Sequence, residues 1–268
     1  MATAGDQPTT LKNRLKQHLR TRLPASLRGA AMMTDYAMSA AERAKRQLGP
    51  QTDLERIFYG HTGRTIHKWT PFFEAYERHL QARRGTPVRM LEIGVSQGGS
   101  LEMWRSYLGP QATIYGIDID PHCAGRVDAP NQVRIGSQDD PEFLQRVVAE
   151  MGGVDVILDD GSHIGRHQIK SFDVLFPLLA DNGTYLIEDL HTSYWLTHGG
   201  GMRRRGTAIE FVKTMIDDLH GWYHASGGRT PAKHEIASIH MYDSIVAIEK
   251  RVKSKPLHVQ VGATTHVD

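Results

Sequence analysis

From Val88 onward the chain alternates short apolar runs with stretches of helical spacing. VRMLEIGV, ATIYGIDID, QVRIGS, VDVILDD and GTYLIEDL are rich in aliphatic and β-branched residues, and most end in glycine or acids. Between them SLEMWRSYL, DPEFLQRVVAEM and HQIKSFDVLFPLLA repeat apolar positions at three and four. Such an alternation predicts an α/β fold with a mostly parallel sheet covered by helices on both faces. The stretch SIHMYDSIVAIEKR predicts two strands joined at a tight Tyr242-Asp243 turn, so the last pair is antiparallel.

Upstream the grammar is helical. Leu11, Leu15 and Leu19 share one face between basic residues, and Pro24 ends the run. A second helical stretch spans 26–48 and stops at Gly49-Pro50. Residues 53–68 read as a helix end followed by a loop, and Pro71 suits the first turn of a helix through FFEAYERHLQARR. The expected organisation is a basic helical arm over 1–52, one domain over 53–256 and a tail over 257–268.

Charge sharpens that division. The chain carries only +2 overall, yet its first 50 residues hold nine Lys/Arg against three Asp/Glu. The remainder is net negative, which argues against a nucleic-acid partner. The arm is expected to pack on the domain or on a second copy, favouring a homodimer; a membrane-surface anchor is the alternative. Cys123 is the single cysteine, so no internal disulfide forms. No run approaches the roughly 20 apolar residues of a membrane span, and no apolar leader opens the chain. A cytoplasmic location is expected.

In an open parallel sheet, ligands bind beyond the carboxyl ends of the strands. The first strand here runs into Glu92-Ile-Gly94-Val-Ser-Gln97-Gly98-Gly99-Ser100 and then a helix. Glycines let a ligand approach the backbone, and the helix N-terminus favours negative charge. The spacing is neither G-x-G-x-x-G nor a P-loop. Asp118 ends the second strand, 24 residues past Gly94, where a carboxylate can take both ribose hydroxyls of a nucleoside. Together these point to an adenosyl cofactor, with Ser137, Gln138 and Asp139 at the next strand end.

A second constellation follows. Asp159-Asp160-Gly-Ser-His163 ends one strand and Glu188-Asp189 the next. Neighbouring strands lie about 4.8 Å apart, so Asp160, Glu188 and Asp189 can converge on a hard divalent cation, Mg²⁺ above all. His163 stands at the same rim, where a neutral imidazole can take a hydroxyl proton. His163 and His167 also have the i, i+4 spacing of a zinc helix, but no H-E-x-x-H is present and Gly165 weakens a helix there. Tyr194 and Trp195 suit the C–H faces of a pyranose. Tyr59, Thr62, Arg64 and His67 can close over the cofactor, and Gly199–Arg205 reads as a basic loop that can cover an acceptor.

The glycine turn with Asp118 resembles the class I S-adenosylmethionine-dependent methyltransferases. That implies a Rossmann-like sheet with an antiparallel C-terminal strand. DDGSH over 159–163 followed by YLIEDLHTSYW over 185–195 resembles the Mg²⁺-dependent sugar O-methyltransferases of macrolide tailoring, the macrocin and mycinamicin type. The similarity runs from about Tyr59 to Lys250. The resemblance implies S-adenosyl-L-methionine at Glu92, Gly94, Gln97, Gly98, Ser100, Asp118, Ser137, Gln138, Asp139 and Asp159. It implies Mg²⁺ at Asp160, Glu188 and Asp189, His163 as general base, and a sugar-bearing acceptor beside His191, Tyr194 and Trp195. The long N-terminal auxiliary domain of the larger macrolide enzymes has no counterpart here, which leaves acceptor size open. A mannoside of the mycobacterial methylated-polysaccharide type is a further acceptor. A hydroxylase-like branch of the same fold and a non-catalytic binding protein are the rival readings.

Overall fold

The computed structural model describes residues 52–224 and 234–262. The helices expected within the basic arm, and the pairing of copies drawn from it, lie outside the described residues.

Seven strands form one sheet: β1 (Arg89–Ile93), β2 (Thr113–Asp118), β3 (Gln132–Ile135), β4 (Val154–Asp159), β5 (Leu179–Ile187), β6 (Ile236–Met241) and β7 (Val246–Lys250). Their order is β3-β2-β1-β4-β5-β7-β6. The first five are parallel, and β7 enters antiparallel between β5 and β6. This is the Rossmann-like arrangement expected from the strand–helix alternation; the turn between β6 and β7 centres on Asp243-Ser244, one residue later than expected, closed by the Tyr242 N–H donating to the Ile245 carbonyl oxygen at 2.9 Å, with Ser244 at φ 66°.

Helices α1 (Asp53–Gly60), α2 (Phe72–Leu80) and α3 (Gly99–Leu108) cover one face; α4 (Pro141–Glu150), α5 (Gly165–Leu175) and α6 (Ala208–Leu219) cover the other. Strand residues alternate between the two cores. Met90, Ile114, Val156 and Leu158 meet Phe72, Tyr76 and Trp104, whereas Leu91, Ile117, Ile157 and Tyr185 meet Leu144, Phe172 and Met215. Burial on both faces is why the strands read as continuous apolar runs rather than as alternation. Each such Leu or Ile contributes about 1.5–3 kcal/mol relative to exposure.

Local signals set the helix starts. Thr52 and Glu55 form a capping box on α1. Asp140 caps α4 by accepting from the backbone N–H groups of Glu142 and Phe143, with Pro141 at the first position. Helix α6, absent from the segments drawn from the hydrophobic pattern, buries Ala208, Ile209, Val212 and Met215 along one stripe.

Between α1 and α2 the chain runs as a strap over residues 61–71. It crosses the N-terminus of α3 so closely that a Cβ on Gly99 would lie 2.2 Å from the Arg64 carbonyl oxygen. Glycine there is what lets the strap reach the carboxyl edge of the sheet.

Candidate active site

The carboxyl edge opens onto a cavity of about 320 Å³ and an adjoining one of about 200 Å³. Gly94, Asp118 and Gly161 border both, so the two form one groove across the switch point between β1 and β4. Gly94 makes the turn possible: its φ is +96°, and a Cβ would lie 2.1 Å from the Asp160 carbonyl oxygen.

Gln97, Ser100 and Asp118 line the larger cavity beside this turn. Asp118 accepts the backbone N–H groups of Val95 at 2.9 Å, Ser96 at 3.1 Å and Asp120 at 2.9 Å. Burial opposes ionisation of this carboxyl, but those three donors hold it below the usual range. Gly98 is the N-cap of α3, with φ +86°. Glu92 is wholly buried and accepts the Ser100 hydroxyl at 2.9 Å. Burial pushes its carboxyl up to about 7, against the pull of Lys68.

The smaller cavity has Ile93, Ile117 and Ile119 on its apolar side and Ser137, Gln138 and His167 on its polar side. Asp139 sits on the rim and accepts the Ser137 hydroxyl at 2.5 Å. Asp159 is fully buried and faces away from both cavities, accepting from the Gln138 amide at 3.2 Å. Gln138 in turn accepts the Ser162 N–H at 2.7 Å. The structure thus makes Asp159 and Glu92 supports of the groove's wall rather than lining groups. His167 faces Ser162 at 2.9 Å and Asp139 at 3.5 Å, away from His163, so the i, i+4 pair does not converge.

At the β4 and β5 ends the carboxylates separate into two groups. Asp160, His163 and Asp189 offer ligand atoms all within 4.8 Å of one another. His163 Nε2 stands 3.4 Å from Asp189 Oδ2. His163 Nδ1 and Asp189 Oδ1 are buried without a hydrogen-bond partner among the described residues. Two carboxylates and an imidazole with open lone pairs fit a hard divalent cation. His163 and Asp189 both adopt φ 54°, a left-handed conformation that costs non-glycine residues about 1–3 kcal/mol and gathers at functional sites. One side chain staples the pair: Thr192 Oγ1 lies 3.0 Å from the His163 carbonyl oxygen and 2.7 Å from that of Asp189.

Glu188, expected in the same group, lines the larger cavity but is served by other donors. Lys68 Nζ reaches its two oxygens at 2.9 and 3.1 Å, and the Tyr76 hydroxyl donates to it as well. The same ammonium meets Asp160 Oδ2 at 2.5 Å and Glu92 Oε1 at 3.6 Å. Burial alone would lower the Lys68 ammonium, but the charges of Asp160, Glu188 and Glu92 reverse this and raise it well above its ordinary value. Lys68, on the strap, was not legible as a site residue; neither was Trp69, which lines the cavity beside His67. Tyr194 and Trp195 do not line either cavity: Trp195 packs edge-on against His191, which meets Trp69 in turn. Burial lowers the His191 imidazole, with His163 and His198 adding to the effect. No described helix is long and apolar enough to cross a membrane.

Residues 91–190 match the protein-family model described as a methyltransferase domain. The chain is 38% identical over 213 residues to the 8-demethyl-8-(2-methoxy-alpha-L-rhamnosyl)-tetracenomycin-C 3'-O-methyltransferase of Streptomyces olivaceus, covering 74% of this chain and 54% of the relative. It is 34% identical to the L-olivosyl-oleandolide 3-O-methyltransferase of Streptomyces antibioticus, covering 87% and 62%. Among solved structures it resembles MycE methyltransferase from the mycinamycin biosynthetic pathway, in complex with Mg, SAH and mycinamycin VI. That match has a TM-score of 0.68 at 30% identity and covers 86% of this chain and 63% of the other. The chain spans 54–63% of the length of these relatives.

Proposed function

The chain belongs to the class I S-adenosylmethionine-dependent methyltransferases, and on that premise we propose that it methylates a hydroxyl of a sugar carried by a natural product, assisted by Mg²⁺. The observation that carries the reading is the meeting of Asp160, His163 and Asp189 in the same cavity as the Gly94 turn and Asp118. The relatives named for transfer to rhamnosyl and olivosyl groups support the acceptor class.

The groove suits S-adenosyl-L-methionine laid across the switch point, its ribose toward Asp118 and its adenine between the isoleucines and the Ser137–Gln138 edge. Asp160 and Asp189 would hold the cation, which when bound supplies a Lewis acid beside the acceptor hydroxyl. His163 lines the cavity beside Asp189, 3.4 Å from its Oδ2, and would take the acceptor proton there. The Asp189 carboxylate then stabilises the imidazolium. The His163 and Asp189 backbones, tied through Thr192, hold these groups before the acceptor arrives, so alignment is set by the fold. Trp69 lines the cavity that holds Asp160, His163 and Asp189, with His191 packed edge-on against it, and is the surface for the sugar.

Incubation with methyl-labelled cofactor and a panel of rhamnosides, olivosides, mannosides and glycosylated macrolides, with and without Mg²⁺, tests the reading. Label should enter a glycoside only when Mg²⁺ is present. Transfer to none of them, or transfer indifferent to Mg²⁺ removal by chelator, overturns it.

A further inference from the structure

A further cavity, of about 80 Å³, adjoins the groove through Trp69, which lines both. Three parts of the chain meet in it: Trp69, Pro71 and Phe72 from the strap and the start of α2, His191 from the turn after β5, and Asp243 and Ser244 from the tip of the β6–β7 hairpin. His191 ties it to the groove. Its Nδ1 lies 3.8 Å from Asp189 Oδ1, and its ring meets that of Trp69 edge-on with centroids 5.6 Å apart. A unit joined to the methylated sugar comes to lie here when that sugar rests on Trp69. The walls are of two kinds. Trp69, Pro71 and Phe72 offer apolar surface that suits the C–H face of a ring. Ser244 Oγ is already engaged, accepting the His191 backbone N–H at 3.2 Å and touching its ring. Asp243 is exposed, and its carboxylate has no hydrogen-bond or ion-pair partner among the described residues. An apolar occupant would strip water from that carboxylate without replacing its hydrogen bonds, and an anionic one would be repelled. A polyhydroxylated ring answers both walls, with its C–H face on Trp69 and its hydroxyls on Asp243. We propose that this cavity is a second acceptor subsite that holds a sugar unit joined to the one being methylated, with Asp243 as its hydrogen-bond acceptor. The inference rests on the sugar-transfer reading and deepens it, because it makes the preferred acceptor a sugar linked to another sugar.

The test uses the full chain loaded with S-adenosylhomocysteine and Mg²⁺. Calorimetric binding is measured for methyl α-L-rhamnoside, phenyl α-L-rhamnoside and the methyl glycoside of a rhamnosyl-rhamnose disaccharide, and for the same three compounds in the mannose series. In one of the two series the disaccharide should bind about tenfold tighter than the methyl glycoside, the size of a hydrogen bond to a charged group, and the phenyl glycoside should gain no such advantage. In Asp243→Ala the disaccharide's advantage should shrink to within about twofold. Asp243→Asn, which keeps a carbonyl oxygen in the same place, should retain part of it. Asp243 stands at an exposed hairpin tip, so its replacement does not disturb the core, and S-adenosylhomocysteine affinity checks that the groove is intact. A disaccharide advantage that survives Asp243→Ala overturns the proposal. So does equal binding of disaccharide and methyl glycoside by wild type in both series. Tighter binding of the phenyl glycoside than of the disaccharide would give the cavity to an apolar aglycone and overturns it as well. A wild-type enzyme that binds S-adenosylhomocysteine yet transfers label to no glycoside overturns the sugar-transfer reading itself, and the subsite with it.

Discussion

His79 on α2 and His163 beyond β4 each face a carboxylate, yet they differ in what they leave unsatisfied. His79 uses both ring nitrogens: Nδ1 lies 2.5 Å from Glu249 and Nε2 lies 3.0 Å from the Tyr242 hydroxyl. Glu249 also accepts the Thr184 hydroxyl at 2.9 Å. This network ties α2 to β5 and β7 from helical and strand backbone. His163 pairs with Asp189 only through Nε2 at 3.4 Å, holds a left-handed backbone, and has Nδ1, like Asp189 Oδ1, buried without a hydrogen-bond partner among the described residues. The same two residue types therefore serve stability where their polar atoms are saturated, and chemistry where they are kept open.

The sharpest way to break this contrast is His163→Ala. Turnover should fall about 10²–10⁴-fold, the range of a lost general base. Calorimetric binding of S-adenosylhomocysteine should stay within about twofold, since the cofactor's predicted contacts lie at Gly94 and Asp118. Retained turnover would remove the base assignment. Next comes Asp189→Ala, expected to lower Mg²⁺ affinity by about two to three orders of magnitude while leaving nucleoside binding intact. Equal Mg²⁺ binding in a titration would show that the open oxygens are not the cation's ligands.

Asp159 and Asp160 repeat the contrast within one dipeptide, because successive side chains of a strand face opposite ways. Asp160 reaches the cavity, whereas Asp159 is buried against Gln138 and Tyr185, and burial pushes its carboxyl up to about 6. A raised folded pKa means that Asp159 contributes stability below the unfolded value near 3.8 and loses it as pH rises through about 6. Asp159→Asn should remove that part of the pH dependence, amounting to about 3 kcal/mol across the window. Urea unfolding of both proteins at pH 4 and pH 7.5 measures it. A variant with an unchanged pH profile would mean that Asp159 is ionised in the folded protein.

His79→Ala tests the saturated side. It leaves Glu249 and Tyr242 without their partner, which should cost about 1–3 kcal/mol in urea unfolding. The turnover of the folded fraction should be unchanged, since neither cavity includes His79. A fall in turnover larger than the loss of stability would place this network in the site.

How much of this was readable beforehand follows from sequence separation. Strand ends were legible because β1, β2, β4 and β5 are apolar runs that stop at acids, so Asp118, Asp160 and Asp189 fell at one edge as soon as the sheet was inferred. Helix α6 was within reach from the spacing of Ala208, Val212 and Met215. Lys68 was not, because its partners lie 92 and 120 residues on and it meets them only through the path of the strap. The same blindness affected the aromatic wall. YLIEDLHTSYW draws attention to Tyr194 and Trp195, but the left-handed turn at Asp189 and the 3-10 turn over Leu190–Tyr194 direct Trp195 against His191, while Trp69 lines the cavity. Saturation of Glu188 by Lys68 and Tyr76 likewise depends on tertiary packing that no local pattern encodes.

The smallest expected effect isolates the element that keeps the open pair open. Thr192 is 2% exposed, and its hydroxyl proton is shared between the His163 and Asp189 carbonyl oxygens from the turn that follows β5. Thr192→Val preserves shape and removes only that donor, leaving two carbonyls under-satisfied at a cost of about 1 kcal/mol. A general packing defect would lower stability and leave the remaining folded enzyme fully active. Loss of the staple instead frees two backbones held in a costly conformation, so turnover should fall several-fold to about tenfold at unchanged nucleoside affinity. Thr192→Ser, which restores the hydroxyl without the methyl, should recover turnover more than stability. Wild-type turnover in Thr192→Val would show that the strained geometry of His163 and Asp189 is held by packing alone.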